Sequence, residues 1–301
     1  MEIQPDPKDT RRWNVVADHG TFATLKKLST SYGIASDAAR AWWLESPEGS
    51  KVSLERWLRD NDAYSVSFSD PEYFYSIGSL YRKAGFDQEA KRVKALLKPH
   101  APLDHAASEK GPTDEYRVTT TNFSADSIFR VLETSLAGDA LHLCCGDLGD
   151  EWADYLAIGP GEITFFHCKD GTPTTGASDF QIVVGQAVKN LSRIKFRPEE
   201  IQAKLGACKS NPYWANTRIP RLAKTANHWD GCIAAATAMT GNPAAVWRVA
   251  LVVTALSDAD FEREMQRTSP KPHFIQLVWL LSAFASICRE RDAQPIIYCR
   301  T

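Results

Sequence analysis

The sequence predicts an α/β protein: a mixed β-sheet flanked by helices, preceded by a mainly helical N-terminal region. Three observations carry that expectation. From residue 124 onward the helix and strand signals run α-β-β-β-α-β-α-α-β, an order that builds a mixed sheet with helical cover. Gly159-Pro160-Gly161 separates two apolar segments and marks a hairpin turn. Residues 99–114 (PHAPLDHAASEKGPTD) are rich in Pro, Ala, His and charge and read as a linker, which divides the chain into units 1–110 and 111–301.

Before the linker the signals are mostly helical from Thr21 to about Lys98. Ser36-Asp37 precede AARAWWLES and Ser53 precedes LERWLRD, each in an N-cap position. AYSVSFS, residues 63–69, alternates like a short strand. DPEYFYSIGSLYRKAG and FDQEAKRVKALLK then predict a helical hairpin with Gly85 as a stop. It has a faint tetratricopeptide look but no second copy, so it reads as one packed pair.

After the linker, SADSIFRVLETSL predicts a helix capped by Ser124, with Ile128, Phe129, Val131, Leu132 and Leu136 near one face. Strands follow at residues 140–145, 151–158 and 162–169. A helix is expected at residues 178–191. VWRVALVVTAL predicts a buried strand, SDADFEREMQ a capped helix, HFIQLVWLLSAFASICRE a long core helix and PIIYC a last strand.

The 301 residues carry 35 basic and 37 acidic side chains, a net charge of −2, with 44% hydrophobic residues. That balance excludes a protein that coats polyanions by bulk charge. The polar start has no apolar leader core. The most apolar stretch, residues 274–288, is broken by Gln276, Ser282 and Ser286 and falls short of the roughly 20 residues of a membrane span. Seven cysteines without a CxxC pair fit reduced thiols. The expectation is a soluble cytoplasmic protein with no membrane partner.

Charge is sharply partitioned. Residues 131–168 hold seven carboxylates (Glu133, Asp139, Asp147, Asp150, Glu151, Asp154 and Glu162) and no Lys or Arg. Residues 189–224 hold nine basic side chains against Glu199 and Glu200, a local +7. Carboxylate clusters attract hard cations and basic stretches attract phosphates, as metal-dependent phosphodiester chemistry requires. Lys189, Arg193, Lys195, Arg197, Arg218 and Arg221 are the candidate nucleic-acid contacts. Strand alternation places His167 and Lys169 on the face of Ile163 and Phe165, and Asp154 on that of Trp152, Leu156 and Ile158. A charge buried there needs a partner. A plain Asp154–Lys169 salt bridge and a metal site both meet that need.

The chain resembles the PD-(D/E)xK nuclease superfamily in its order of parts. A helix is followed by a hairpin carrying Asp154, a strand with His167-Cys168-Lys169 and a helix with Gln186. CGDLGDEWADYL, FFHCK, SDFQIVVGQAVKNL and QLVWLLSAFASICRERDAQPIIYC are similar to nuclease-like domains attached to, or encoded beside, prokaryotic antiphage helicases. The resemblance covers roughly the C-terminal two-thirds. It implies a restriction-endonuclease-like fold, a divalent-metal nuclease acting on DNA rather than RNA, Mg²⁺ or Mn²⁺ as cofactor, and a helicase or NTPase partner.

Residue by residue, it makes Asp154 a metal ligand, Lys169 the group that orients the attacking water, and Gln186 a helix-borne support. Glu151 or Glu133 would be an additional carboxylate. His167 stands where most members have Asp or Glu. As a ligand it would favour Mn²⁺ at least as well as Mg²⁺. Otherwise Glu151 or Asp150 completes an oxygen site and His167 orients substrate or acts as a base. A third reading is a decayed site that binds nucleic acid, or docks a helicase, without cutting.

Other signals are weaker. His142, Cys144, Cys145, His167 and Cys168 lack zinc-ligand spacing and read as buried groups. Tyr213 and Trp214 read either as base-stacking residues or as a packed aromatic loop. No phosphate-cradling P-loop is present. The sequence leaves the oligomeric state open.

Overall fold

The computed structural model describes residues 2–9, 11–17, 20–27, 32–61, 65–67, 73–76, 79–82, 85–224, 228–267 and 269–301. They fall into two compact units, Met1–Gln88 and Glu89–Thr301.

The first unit is built mainly of strands, not helices. β1 (Glu2–Pro5), β2 (Arg12–Ala17), β3 (Gly20–Lys27) and β4 (Tyr32–Ala35) form an antiparallel sheet in that order. A four-residue α1 (Asp37–Arg40) leads to the hairpin β5 (Trp43–Glu45) and β6 (Lys51–Ser53), then α2 (Leu54–Asp60). Three short antiparallel strands follow, β7 (Ser65–Ser67), β8 (Tyr73–Ser76) and β9 (Ser79–Arg82). Of the expected helices, α2 forms over its full length, with Ser53 Oγ accepting from the Arg56 N–H at 3.3 Å. The helix predicted over AARAWWLES stops at Arg40. The segment expected as the first helix of a hairpin is instead β8 and β9. Its aromatic and alternating residues (Tyr73, Phe74 and Tyr75, then Leu80 and Tyr81) suit a pleated surface, and that pairing overrides their helical spacing.

The second unit opens within α3 (Phe86–Lys94) and carries a seven-stranded mixed sheet. In chain order its strands are β10 (Leu97–Pro99), β11 (His142–Cys145), β12 (Tyr155–Gly159), β13 (Glu162–Lys169), β14 (Leu222–Lys224), β15 (Val246–Ser257) and β16 (Gln294–Arg300). Across the sheet the order is β10-β16-β15-β13-β12-β11-β14. β10, β16, β15 and β13 run parallel, and each pairing from β13 to β14 is antiparallel. The α/β expectation is met, including the β12–β13 hairpin, whose turn places Gly161 at φ +77, a backbone region open to glycine. β15 is buried from Trp247 almost throughout, which is why its sequence is a near-continuous apolar run rather than an alternation.

The helices of this unit are α4 (Ile128–Val131), continued by a π-helical turn at Leu132–Leu136, α5 (Gln181–Asn190), α6 (Pro198–Ser210), α7 (Trp229–Thr240), α8 (Asp258–Met265) and α9 (Pro272–Glu290). Ile128, Phe129 and Leu132 pack against Tyr155, Phe166, Cys168, Ala250 and Val252, forming one core layer. α5 packs on β13, β15 and α9. α9 buries Phe274, Leu277, Val278, Leu281 and Phe284. The cap of α4 is Ser127, not Ser124: Ser127 Oγ accepts from the Arg130 N–H at 3.2 Å and donates to the Ser124 carbonyl at 2.7 Å.

Residues 99–114, expected as a linker, are built into this unit. Leu103 is fully buried, Ser108 bridges to Ser127, and the Ile128 and Phe129 N–H groups donate to Ser108 O and Glu109 O. Leu97 and Lys98, expected to close a helix, pair with β16 instead, together with Pro99. All seven cysteines are free and buried. Among the described residues, no helix is long and apolar enough to cross a membrane.

Candidate functional site

Asp154 lies one residue before β12, where the register with β13, Tyr155 opposite Phe166, brings it beside the end of that strand. Its N–H donates to Phe166 O at 3.0 Å, and its Oδ2 accepts from the Cys168 N–H at 2.8 Å. Only 5% of the residue is exposed. Burial pushes the carboxyl well above the usual carboxylate range. The negative charges of Glu151 and Glu109 push the same way, against the Cys168 N–H and Lys110.

Glu109 is the group that sequence reasoning missed. Its Oε2 lies 3.3 Å from Lys169 Nζ, so Lys169 pairs with Glu109 rather than forming the direct bridge to Asp154. Lys110 stands 3.6 Å from Glu109 and donates to Asp147 Oδ2 at 2.8 Å, with its ammonium 5.1 Å above the Phe129 ring. Burial disfavours that ammonium, but Asp147, Glu109 and Asp154 outweigh it and hold its pKa above the ordinary lysine value. Asp147 also accepts from Trp214 Nε1 at 2.8 Å. Nothing local distinguishes Glu109 from Asp104 or Asp114 in the same segment. It reaches the site through the backbone bonds to α4.

The β11–β12 loop is pinned from beneath. Lys204, a buried residue of α6, donates to the carbonyls of Gly146 (3.1 Å), Leu148 (3.1 Å) and Asp150 (2.5 Å). Arg221 donates to Asp147 O at 2.7 Å. Two buried cations thus satisfy four carbonyls of one short loop, which offsets part of the cost of burying them.

His167 is not part of this cluster. Phe166 and Cys168 belong to the α4 layer, while His167 between them is buried with the charge of Lys189 on α5 acting on it, and no hydrogen bond among the described residues joins it to Asp154. Burial, then the charge of Lys189 on α5, lowers its imidazole to about 4. The expectation that Asp154 and His167 share a metal is corrected by that geometry. Gln186 is exposed on α5, and no hydrogen bond among the described residues joins it to Asp154 or Lys169. Glu133 accepts from Tyr155 OH at 2.8 Å and faces Arg130 at 3.5 Å, while Asp150 accepts from Trp152 Nε1 and pairs with Arg193. Glu151 is the predicted extra carboxylate whose charge acts on Asp154.

The basic stretch is largely neutralised in place. Arg193 pairs with Asp150, Lys195 with Asp292, Arg197 with Glu199 and Glu200, and Lys209 with Asp230. Lys224 donates to the carbonyls of Ala137 and Gly138. Arg221 is 3% exposed, so its place on a surface contact is corrected: it is an internal prop. Among the described residues, Lys189 and Arg218 are the cations of this stretch with no bonded side-chain partner.

As a cation site, the cluster offers carboxylate oxygens from Asp154, Glu109 and Glu151. Among the described residues, no group of three or more His, Cys, Asp or Glu side chains stands close enough together to hold a metal ion. Comparison with protein families, curated proteins and solved structures finds no match to this chain.

Proposed function

We propose that the second unit is a divalent-cation-dependent phosphodiester hydrolase acting on nucleic acid, with DNA as the favoured substrate. The observation that carries this reading is the buried Asp154 carboxyl at the end of β13, within the field of Glu151 and Glu109, with the Lys169 ammonium 3.3 Å from Glu109. Asp154, Glu109 and Glu151 would hold the cation. A bound Mg²⁺ or Mn²⁺ supplies Lewis-acid polarisation of a phosphate and a more acidic water. Lys169, already placed beside the carboxylates, offsets charge that develops on the phosphoryl oxygens. With His167 outside the cluster, the donors are all oxygen, and the ground for a Mn²⁺ preference disappears. The order α4, β11, the β12–β13 hairpin and α5, followed after α6, β14 and α7 by β15 parallel to β13, is compatible with the nuclease resemblance.

A second reading has its own support. The Glu109–Lys169 pair satisfies itself, and no three-ligand group is assembled among the described residues, as in a module that binds without cutting. Incubating single- and double-stranded DNA and RNA with Mg²⁺, Mn²⁺ or EDTA separates the two readings. Because the resemblance points to helicase partners, the assay is repeated with any helicase encoded alongside. Cation-dependent cleavage that falls by about 100-fold or more in Lys169→Ala, Glu109→Gln and Asp154→Asn supports hydrolysis. Equal, negligible cleavage by wild type and Lys169→Ala, with DNA binding intact, supports the binding module.

A further inference from the structure

The hairpin at residues 212–221 joins the cluster to the protein surface. Trp214 N–H donates to Ile219 O at 2.9 Å, Arg221 N–H to Pro212 O at 2.8 Å, and Tyr213 bridges to Pro220. The turn is closed by Thr217, whose Oγ1 donates to Trp214 O at 2.5 Å, with Ala215 at φ +46. Arg218 N–H is tied to Thr120 O at 2.8 Å. Alternation sorts the side chains. Trp214 points inward, edge-on to Phe123 (5.3 Å) and Tyr116 (6.1 Å), and its Nε1 reaches Asp147, which in turn holds Lys110. Tyr213 points outward and is 44% exposed, with Arg218 exposed on the same hairpin.

Two further facts define what this surface fits. Residues 201–224 contain no Asp or Glu. Arg218 is also one of only two cations in the basic stretch left without a bonded partner among the described residues. An exposed aromatic ring and a guanidinium without a bonded partner, both on one hairpin, suit an unstacked base and a nearby phosphate.

We infer that this hairpin contacts single-stranded nucleic acid, Tyr213 stacking on a base and Arg218 meeting the backbone. The inference deepens the nucleic-acid reading of the neighbouring cluster and rests on it. Trp214 is the anchor that fixes the hairpin to Asp147 and is not itself a contact.

The test is binding of a labelled 20-nucleotide oligothymidylate in EDTA, where cleavage plays no part. Tyr213→Leu should weaken binding by about five- to 100-fold, while Tyr213→Phe retains it. Arg218→Gln should make the salt dependence shallower by about 0.7 in log–log slope. Arg263→Gln, outside the basic stretch and already paired with Asp260, should bind within about two-fold of wild type. Equal binding by wild type and Tyr213→Leu, both folded by circular dichroism, overturns the inference and leaves the hydrolase reading to its own assay. Tyr213-dependent binding with no cleavage under any cation supports the inference and defeats the hydrolase reading. No binding by wild type defeats this inference.

Discussion

Asp154 and His167 sit beside each other at the β12–β13 end yet meet opposite surroundings. Asp154 faces carboxylates and the Cys168 N–H, whereas His167 is enclosed on the α5 side near Lys189. The imidazole, held to about 4 against an ordinary 6.5, is neutral in the fold. Above about pH 7 neither the folded nor the unfolded histidine is protonated, and stability is complete. As pH falls from 6.5 toward 4, the unfolded chain takes up a proton that the fold refuses. Stability is therefore lost on acidification, by about 3 kcal/mol from this group. Denaturant midpoints at pH 7.5 and 5 should show about 2 kcal/mol of that loss in wild type and much less in His167→Gln. The same acid loss in both proteins would show that another group carries it. The sequence identified both residues as buried groups of interest. It could not tell that a backbone N–H and a one-residue offset would separate them.

At the level of elements, the apparent polyanion-binding stretch has an internal task. Lys204 holds three carbonyls of the β11–β12 loop, and Arg221 a fourth. Lys204→Met should destabilise the fold by about 2–4 kcal/mol, because carbonyls that accepted from a charged donor lose it in a buried setting. Amide exchange over residues 146–151 should quicken, and Lys204→Arg should recover part of both effects. Unchanged exchange with a large stability loss would mean that Lys204 supports α6 rather than the loop. Strong periodicity made β13, β15, α5, α8 and α9 readable in advance. α6 and α7 were not expected: α6 begins at Pro198 with an Arg197–Glu200 cap and has only a weak apolar stripe. Its helical character was hidden behind its charge. In the first unit, YFYS and SLYR carry both helical spacing and strand propensity, and only pairing between β8 and β9 decides between them.

Across the whole molecule, the seven-stranded sheet and its helices lie within residues 85–301. A fragment starting at Gly85, which keeps α3 whole, should therefore fold alone. It should unfold in one cooperative thermal transition and keep the near-ultraviolet signal of Trp152, Trp214 and Trp247. A molten fragment lacking that signal would show that the first unit is needed to complete the fold. The near-neutral net charge also takes its meaning at this scale. The carboxylate-rich and basic stretches meet in the Asp150–Arg193 surface pair and where buried Arg221 and Lys204 hold carbonyls of the acidic loop, so two of the nine cations lie inside the protein.

The α/β class, the β12–β13 hairpin and the long core helix were determined by the sequence itself, because periodicity and turn chemistry are local properties. Tertiary pairing decided the rest. Pairing of neighbouring strands made the N-terminal region a set of small sheets. Long-range contacts carried Glu109 from an apparent linker to Lys169, set His167 in surroundings charged by Lys189, and made Lys204 and Arg221 internal braces. The physical reason is that a charge or a strand edge is placed by whatever satisfies it: the neighbouring strand in the N-terminal sheets, but a group 60 residues away for Lys169 and 58 away for Lys204.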